Sequence, residues 1–256
     1  MKTVLEGKNI SKIYDTGGNK FQALKGINLQ VSEGEFVGIM GPSGSGKTTL
    51  LNVLSTIDDV SQGEILIDEK DVVKMNDDKL ALFRREHLGF IFQDYNLLDT
   101  LTVEENIALP LALSQVKTSE VDSSVLEIAK KFGIDDILDK YPYQVSGGQK
   151  QRCAAARAIV TKPSIIFGDE PTGALDSKSA ADLLESIKSL NEHNQATILM
   201  VTHDAFAASY CKRVIFIKDG ELYRELQRNE LTRKQFFKQV VDVMSTISGG
   251  SANEVI

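Results

Sequence analysis

Apolar and polar positions fall into distinct regimes along the chain. In the N-terminal part, short β-rich segments at residues 4–10, 27–31 and 64–68 alternate with glycine and polar turns, which predicts strands. Phe36-Val37-Gly38-Ile39-Met40 is a continuous apolar run with the composition of a strand buried on both faces, as in parallel sheets. Residues 48–55 then place Leu50, Leu51 and Leu54 on one side of a helix. Two further apolar runs end in polar residues: Ile165-Ile166-Phe167-Gly168 leads into Asp169-Glu170, and 197–201 leads into Thr202-His203. Ligands of open α/β sheets gather at the carboxyl ends of the strands, so these runs are expected to deliver their polar ends to one sheet edge.

Between Thr102 and Ala158 the period becomes helical, with candidates at 104–113, 121–132 and 147–158, and residues 95–160 read as a helical insertion. Residues 214–217 and 221–226 flank Lys218-Asp219-Gly220, a strong hairpin signal. From 231 to 248, Phe236, Phe237, Val240, Val241, Met244 and Ile247 recur at helical spacing. This predicts a helix docked on the domain or on a partner, with a membrane-surface helix as the alternative. Residues 249–256 are expected to be disordered. No internal repeat or low-complexity segment is present, so the chain carries the parts of a single site.

Composition narrows the class. A chain of 256 residues, 42% hydrophobic, can bury a sizeable core in one α/β domain with a smaller inserted subdomain. A net charge of −7 argues against a nucleic-acid-binding surface. Cys153 and Cys211 lie among small or apolar residues and read as packed free thiols in a reducing compartment. No signal peptide opens the chain, and no apolar run approaches the roughly 20 residues that span a bilayer. A soluble, cytoplasmic protein is expected.

Candidate chemistry begins at Gly41-Pro42-Ser43-Gly44-Ser45-Gly46-Lys47-Thr48, a complete Gly-x4-Gly-Lys-Thr phosphate loop followed by Thr49. Its glycines let backbone N–H groups wrap the β- and γ-phosphates, and the helix that follows adds a favourable dipole. Lys47 supplies a point charge, and the Thr48 hydroxyl a ligand for Mg²⁺. A structural glycine loop is the alternative, but a strand before and a helix after form the context that the motif requires.

Asp169 ends a buried strand, where a charge needs a partner; Mg²⁺ reached through water is the obvious one. Glu170 lies one residue further out, where a carboxylate can polarise a water against the γ-phosphate. Read alone, Asp-Glu after a strand equally describes a helix N-terminal charge pair. His203, at a neighbouring strand end, can hydrogen-bond the γ-phosphate. His87 and His193 stand in polar stretches and read as solvated. Gln93 follows the strand-like 89–92, and its neutral amide can touch Mg²⁺ or the attacking water. Ser146-Gly147-Gly148-Gln149 precedes an Ala- and Arg-rich helix; Ser146 is a good N-cap, and the free N–H groups make either an ordinary cap or a second anion site.

Taken jointly, these motifs resemble the ATP-binding cassette (ABC) ATPases over residues 1–226. The order is that of the family: Tyr14 where an aromatic stacks on adenine, the phosphate loop, Gln93, Ser146-Gly147-Gly148-Gln149, Asp169-Glu170, Ala174-Leu175-Asp176 and His203. The resemblance implies an α/β fold, a P-loop NTPase core with a mostly parallel sheet, an N-terminal antiparallel β-subdomain and an inserted α-helical subdomain. Residues 227–256 then form an amphipathic helix and flexible tail. It also implies a head-to-tail homodimer in the ATP state, with ATP held between the phosphate loop of one copy and Ser146-Gly147-Gly148-Gln149 of the other. Asp176 is then expected at that interface, coupling the two sites. No catalytic position departs from the family pattern, so an active ATPase is expected, with Glu170, His203 and Gln93 catalytic and Thr48, Gln93 and Asp169 serving the metal.

Phe92-Gln93-Asp94-Tyr95-Asn96-Leu97-Leu98-Asp99, with Leu101-Thr102-Val103-Glu104-Glu105-Asn106 and Leu109-Pro110-Leu111, resembles the macrolide-exporter and lipoprotein-release branch. Within it, Gln93-Asp94-Tyr95-Asn96 and the stretch Ser209-Tyr210-Cys211-Lys212-Arg213-Val214-Ile215-Phe216-Ile217-Lys218-Asp219-Gly220 are most similar to the bacitracin-type peptide-antibiotic resistance transporters. That subgroup implies a ten-helix permease docked near residues 93–113, a sensor histidine kinase reached through the permease, and a place on the inner face of the cell membrane. A related macrolide or lipoprotein exporter is the alternative, as is a primarily sensory role. A soluble non-transport ABC ATPase acting on DNA or ribosomes is a further one, against which the acidic, single-cassette chain speaks.

Overall fold

Strands β1 (Thr3–Thr16) and β2 (Asn19–Ser32) pair antiparallel as a long hairpin, with Tyr14 opposite Phe21 near its tip. Only its inner half is buried: residues 19–22 of β2 are exposed, whereas Ala23, Leu24, Ile27, Leu29 and Val31 face the core. The hydrophobic pattern therefore marks 4–10 and 27–31, while the outer half is held by the backbone ladder. The buried strand β3 (Phe36–Met40) runs into helix α1 (Lys47–Leu54). Strand β4 (Gln62–Ile67) lies antiparallel to β1, and β5 (Lys70–Asp71) completes a sheet of order β2-β1-β4-β5. The computed structural model describes residues 2–249. Those up to Asn76, with those from Thr197 onward, form one compact unit, and Asp77–Ala196 form a second.

The second unit opens with α2 (Asp77–His87), which leads into β6 (Leu88–Phe92). Helix α2 was not expected, because Phe83 is its one buried residue and the remaining polar positions carry no periodic stripe. Its last residue corrects the reading of His87 as solvated. The imidazole stacks on Phe83, ring centroids 4.4 Å apart, and hydrogen-bonds Ser164 Oγ at 3.0 Å. Helices α3 (Val103–Leu113), α4 (Thr118–Phe132) and α5 (Gly147–Ile159) follow, with α3 and α4 both packed on α5. Strand β7 (Ile165–Asp169) then pairs parallel with β6, Phe92 opposite Asp169, and α6 (Ser177–Asn194) ends the unit. This compact unit takes in α2, the β6–β7 pair and α6 together with the three helices between them.

Buried Asn106 organises the loop before α3. Its amide donates to the carbonyls of Leu98, Leu101 and Thr102, and its Oδ1 accepts from the Leu98 N–H. Satisfying several backbone groups with one side chain is how a loop is kept in one shape.

Back in the first unit, β8 (Ile198–Val201) lies parallel to β3, with α7 (Ala205–Ala208) beyond it. Strand β9 (Arg213–Lys218) flanks β3 on the other side, and β10 (Glu221–Gln227) returns antiparallel through the Asp219-Gly220 turn. The bidentate pair between Arg213 and Glu35, at 2.6 and 2.9 Å, fastens β9 to the turn before β3. The last helix, α8 (Arg233–Gly249), packs on α7. Phe236, Val240, Val243 and Ile247 are its buried stripe, while Phe237 and Val241 are exposed. The packed face is narrower than the apolar spacing suggested. Burial of each such side chain contributes about 1.5–3 kcal/mol. The guanidinium of Arg233 covers the rings of Tyr210 and Phe206, 4.3 and 5.2 Å from their centroids. The disorder expected for residues 249–256 concerns, beyond Gly249, positions outside the described residues.

Both cysteines are buried free thiols, as expected. Burial pushes the Cys153 thiol up to about 12 and raises that of Cys211 as well, which disfavours the thiolate at both.

Candidate nucleotide site

In the first unit, β3 and β8 run parallel with Ile39 opposite Val201, so their carboxyl ends share one edge. Residues 41–46 leave that edge from β3, and Thr202-His203 leave it from β8. The loop is pressed against its surroundings. A β-carbon on Gly41 would run into the carbonyl of Ile217, and one on Gly46 would lie 2.8 Å from the carbonyl of Ala23. Gly46 also has φ of 100°, a left-handed conformation, as the N-cap of α1. The Gly220 N–H donates to the Ser45 carbonyl at 3.1 Å, tying the loop to the β9–β10 turn.

Within this frame, Lys47 Nζ folds across the loop and donates to the carbonyls of Gly41 and Pro42 at 2.9 and 2.8 Å. The first turn of α1 contains no acidic residue, so its dipole and N–H groups are not neutralised from within the helix. Buried Ser45 Oγ has no hydrogen-bond partner among the described residues, and Thr48 is exposed. Pro42 is half-buried, and Ser43 and Gly44 are exposed on the open side of the loop. A glycine loop of this kind, with one ammonium held across it and a helix start behind it, is suited to an anion.

Tyr14, exposed near the hairpin tip, is held from two directions. Its hydroxyl donates to Asp58 Oδ2 at 2.8 Å, and Lys12 Nζ lies 5.0 Å from the ring centroid. That ammonium also donates to Asp58 Oδ1 and to the Asp59 carbonyl, both at 2.6 Å. The Thr49 side chain bonds to the same Tyr14 hydroxyl. Burial, then the bond to Asp58, raises the Tyr14 phenol above its ordinary value. Burial opposes ionisation of Asp58, yet the bonds from Lys12 and Tyr14 hold its carboxyl below the usual value. Sequence reading missed Lys12 and Asp58: they stand far apart in the chain, and each looks like a solvated charge.

His203 is exposed between two capped turns. Thr202 Oγ1 accepts from the Asp204 N–H at 3.0 Å, and Asp204 Oδ1 caps α7 by accepting from the Phe206 N–H at 2.8 Å.

In the second unit, Gln93 and Asp169 stand at the matched carboxyl ends of β6 and β7. Glu170 follows with φ of 44°, a left-handed conformation that a non-glycine residue rarely adopts. Its carbonyl accepts from the Gly173 N–H at 2.9 Å, which closes a turn. A β-carbon on Gly173 would come within 3.0 Å of Gln93 Cδ, so the turn after Glu170 lies against the Gln93 side chain.

Ser146 and Gln149 form a reciprocal capping box at the start of α5: Ser146 Oγ accepts from the Gln149 N–H at 3.3 Å, and Gln149 Oε1 accepts from the Ser146 N–H at 2.9 Å. Exposed Gly147 stands at the helix end beside the Tyr95 hydroxyl, and buried Gly148 leaves room for Ser179, whose Oγ lies 2.7 Å from where a β-carbon would stand. Ser179 donates its hydroxyl to Asp176 Oδ2 at 2.7 Å, while Asp176 Oδ1 accepts the N–H groups of Lys178 and Ser179, both at 3.0 Å. Asp176 therefore caps α6 beside the start of α5. The Ser179 N–H and hydroxyl hold its exposed carboxyl below the ordinary value.

A family model described as "ABC transporter" matches residues 24–173, more than half of the chain. The chain is 56% identical over 246 residues to the bacitracin export ATP-binding protein BceA of Halalkalibacterium halodurans, covering 96% of this chain and 97% of that one. It is 53% identical over 255 residues to the ABC transporter ATP-binding protein YxdL of Bacillus subtilis, covering 100% and 98%. Among solved structures, it is similar to the dimeric post-hydrolysis state of the ATP-binding cassette MJ0796 of Methanocaldococcus jannaschii, bound to ADP and Pi. That match has a TM-score of 0.80 at 42% identity and covers 87% of this chain and 98% of the other.

Proposed function

The chain belongs to the ABC transporter family of ATP-hydrolysing subunits, and from this premise we propose that it powers a membrane permease in resistance to, and sensing of, peptide antibiotics such as bacitracin. The observation that carries the substrate class is the 56% identity to a bacitracin export ATPase across nearly the whole length of both chains. ATP hydrolysis itself follows from the family and from the ATP-hydrolysis-state neighbour.

In this reading, the Tyr14 ring stacks on adenine, steadied by Asp58 and Lys12. Residues Gly41 to Thr49 take the phosphates, with Lys47 exchanging its two carbonyl partners for phosphate oxygens. Mg²⁺ fits the donor set. Among the described residues no cluster of three His, Cys, Asp or Glu side chains could cage a metal, and Thr48 offers an exposed hydroxyl oxygen. A hard cation that keeps waters and phosphate oxygens needs only one or two protein ligands. Thr48, Gln93 and Asp169 are the oxygens proposed for it, and when bound it neutralises developing phosphate charge. Glu170 accepts the proton of a water that attacks the γ-phosphorus, and ADP departs as the P–O bond to the γ-phosphoryl breaks. His203 hydrogen-bonds the γ-phosphate.

Ser146-Gly147-Gly148-Gln149 completes the pocket of a second copy, so ATP draws two chains into a homodimer with Asp176 at the contact. ABC ATPases work as dimers with a permease, and the solved relative is dimeric. For this chain the proposed permease has ten helices, is linked to a sensor histidine kinase, and holds the ATPase on the inner face of the membrane. No helix among the described residues is long and apolar enough to cross a membrane.

The test is made in cells lacking the native copy. An allele carrying Glu170→Gln should restore none of the bacitracin resistance that the wild type restores. Full resistance from that allele would overturn the reading, and resistance unaffected by deleting the gene would remove bacitracin-like peptides as its target.

A further inference from the structure

We propose that Gln151 and Arg157 form a clamp through which helix α5 positions Gln93 and Glu170 for hydrolysis. The proposal rests on the roles given to those two residues above. Gln151 is fully buried, and its Nε2 donates to two backbone carbonyls: Phe92 at 2.9 Å and Pro171 at 2.7 Å. Phe92 immediately precedes Gln93, and Pro171 immediately follows Glu170. One amide thus holds the backbone beside both residues.

The arrangement favours position over stability. Both Nε2 hydrogens are engaged, while Oε1 is buried with no hydrogen-bond partner among the described residues. Turning the amide over would set Oε1 against two carbonyl oxygens, so the orientation is forced. A buried acceptor left bare is a cost that an apolar side chain of the same size would avoid.

Arg157 holds the far end of the same segment. Its Nη1 donates to the Asn96 carbonyl at 2.6 Å and its Nη2 to the Tyr95 carbonyl at 3.0 Å. Tyr95 and Asn96 are both left-handed, with φ of 61° and 49°, a pair of unfavourable conformations that these two bonds help to maintain. Gln151 and Arg157 stand about 9 Å apart along the helix axis. Gln93 and Asp94 are therefore suspended between two anchors on one rigid element. Tyr95 also reaches the start of that element, its hydroxyl 3.0 Å from where a β-carbon on Gly147 would stand. Any displacement of α5 by a ligand at Ser146 thus carries the backbone of Gln93 and Glu170 with it. Neither anchor touches nucleotide in this scheme; they are positioning residues.

Gln151→Met keeps length and burial but deletes both donors. In the purified full chain with MgATP, kcat should fall between about tenfold and a hundredfold, with KM for ATP within about twofold. Arg157→Lys retains the charge but not the two-pronged grip, and should lower kcat by about threefold to tenfold without loss of folded protein by thermal melt. If Gln151→Met does not fold, Arg157→Lys decides. Folded variants with unchanged kcat, or with KM raised in place of lowered kcat, would overturn the clamp. Glu170→Gln assayed in parallel separates the two ideas. Its stalling while Gln151→Met runs at full rate refutes the clamp alone, and its turning over normally refutes the role of Glu170 on which the clamp depends.

Discussion

The glycine loop at 41–46 and the segment 92–96 both project from strand ends, but they are held by different means. The loop is seated mainly against backbone: Gly41 abuts the Ile217 carbonyl, Gly46 abuts that of Ala23, and the Gly220 N–H bonds to Ser45, with the Lys47 ammonium bridging the carbonyls of Gly41 and Pro42 from within. The segment is held by side chains, Gln151 at one end and Arg157 at the other. Close backbone contacts leave little freedom, which suits a cradle that must be formed before its ligand arrives. A side-chain tether keeps a fixed length but moves with the helix that carries it, which suits residues whose placement has to change during a cycle. Binding and turnover should therefore separate when the two regions are altered independently.

The widest separation is expected for Glu170→Gln. Turnover should fall by about a hundredfold to ten-thousandfold, while ATP still binds and a dimer accumulates in size-exclusion chromatography. An unchanged rate would remove Glu170 as the base. Lys47→Ala should act on the other side of the comparison, weakening ATP affinity on the order of a hundredfold as charged hydrogen bonds to phosphate are lost. A nucleotide titration with undiminished affinity would put the phosphates elsewhere. A smaller effect is expected at the base platform: Asp58→Asn should raise KM for ATP by about threefold to tenfold and spare kcat. A change in kcat alone would instead separate Tyr14 from binding.

The mildest effect concerns acid. The carboxyl of Asp176 titrates lower in the folded protein than its ordinary value, owing chiefly to the Ser179 N–H and hydroxyl. Its contribution to stability is therefore complete above about pH 4 and is lost as pH falls through the folded value. Asp176→Asn should lower the thermal midpoint slightly at pH 7, where the carboxylate's contribution is present, and flatten its acid limb below about pH 4, where wild type and variant converge. An acid limb identical to that of the wild type would mean that the α6 cap has no share in acid stability.

Much of the fold was legible because it is encoded locally. Phe36–Met40 is an unbroken apolar strand in both readings, α5 begins at Gly147 behind the Ser146 cap, and β9 turns into β10 at Asp219-Gly220. Each feature depends on residues that are neighbours in the chain. The long outer half of the β1–β2 hairpin was not legible, because ladder hydrogen bonds hold it and they leave no hydrophobic signature. Helix α2 escaped for a related reason, since one buried phenylalanine makes no periodic stripe. His87 looked solvated among charged neighbours, yet its partners Phe83 and Ser164 include one that only the folded chain brings near.

At the candidate site the division is the same. The order of the glycine loop, Gln93, Ser146, Asp169-Glu170 and His203 by itself determined the family and the chemistry expected, because backbone N–H cradles and strand-end carboxylates follow from contiguous residues. Only the tertiary structure decided how those residues are held. Lys12 and Asp58 fix the Tyr14 ring, Gln151 and Arg157 grip the backbone around Gln93 and beside Glu170, and Glu170 sits in a left-handed turn. These contacts join side chains to distant backbone, and such pairings exist only once packing has chosen which distant segments meet.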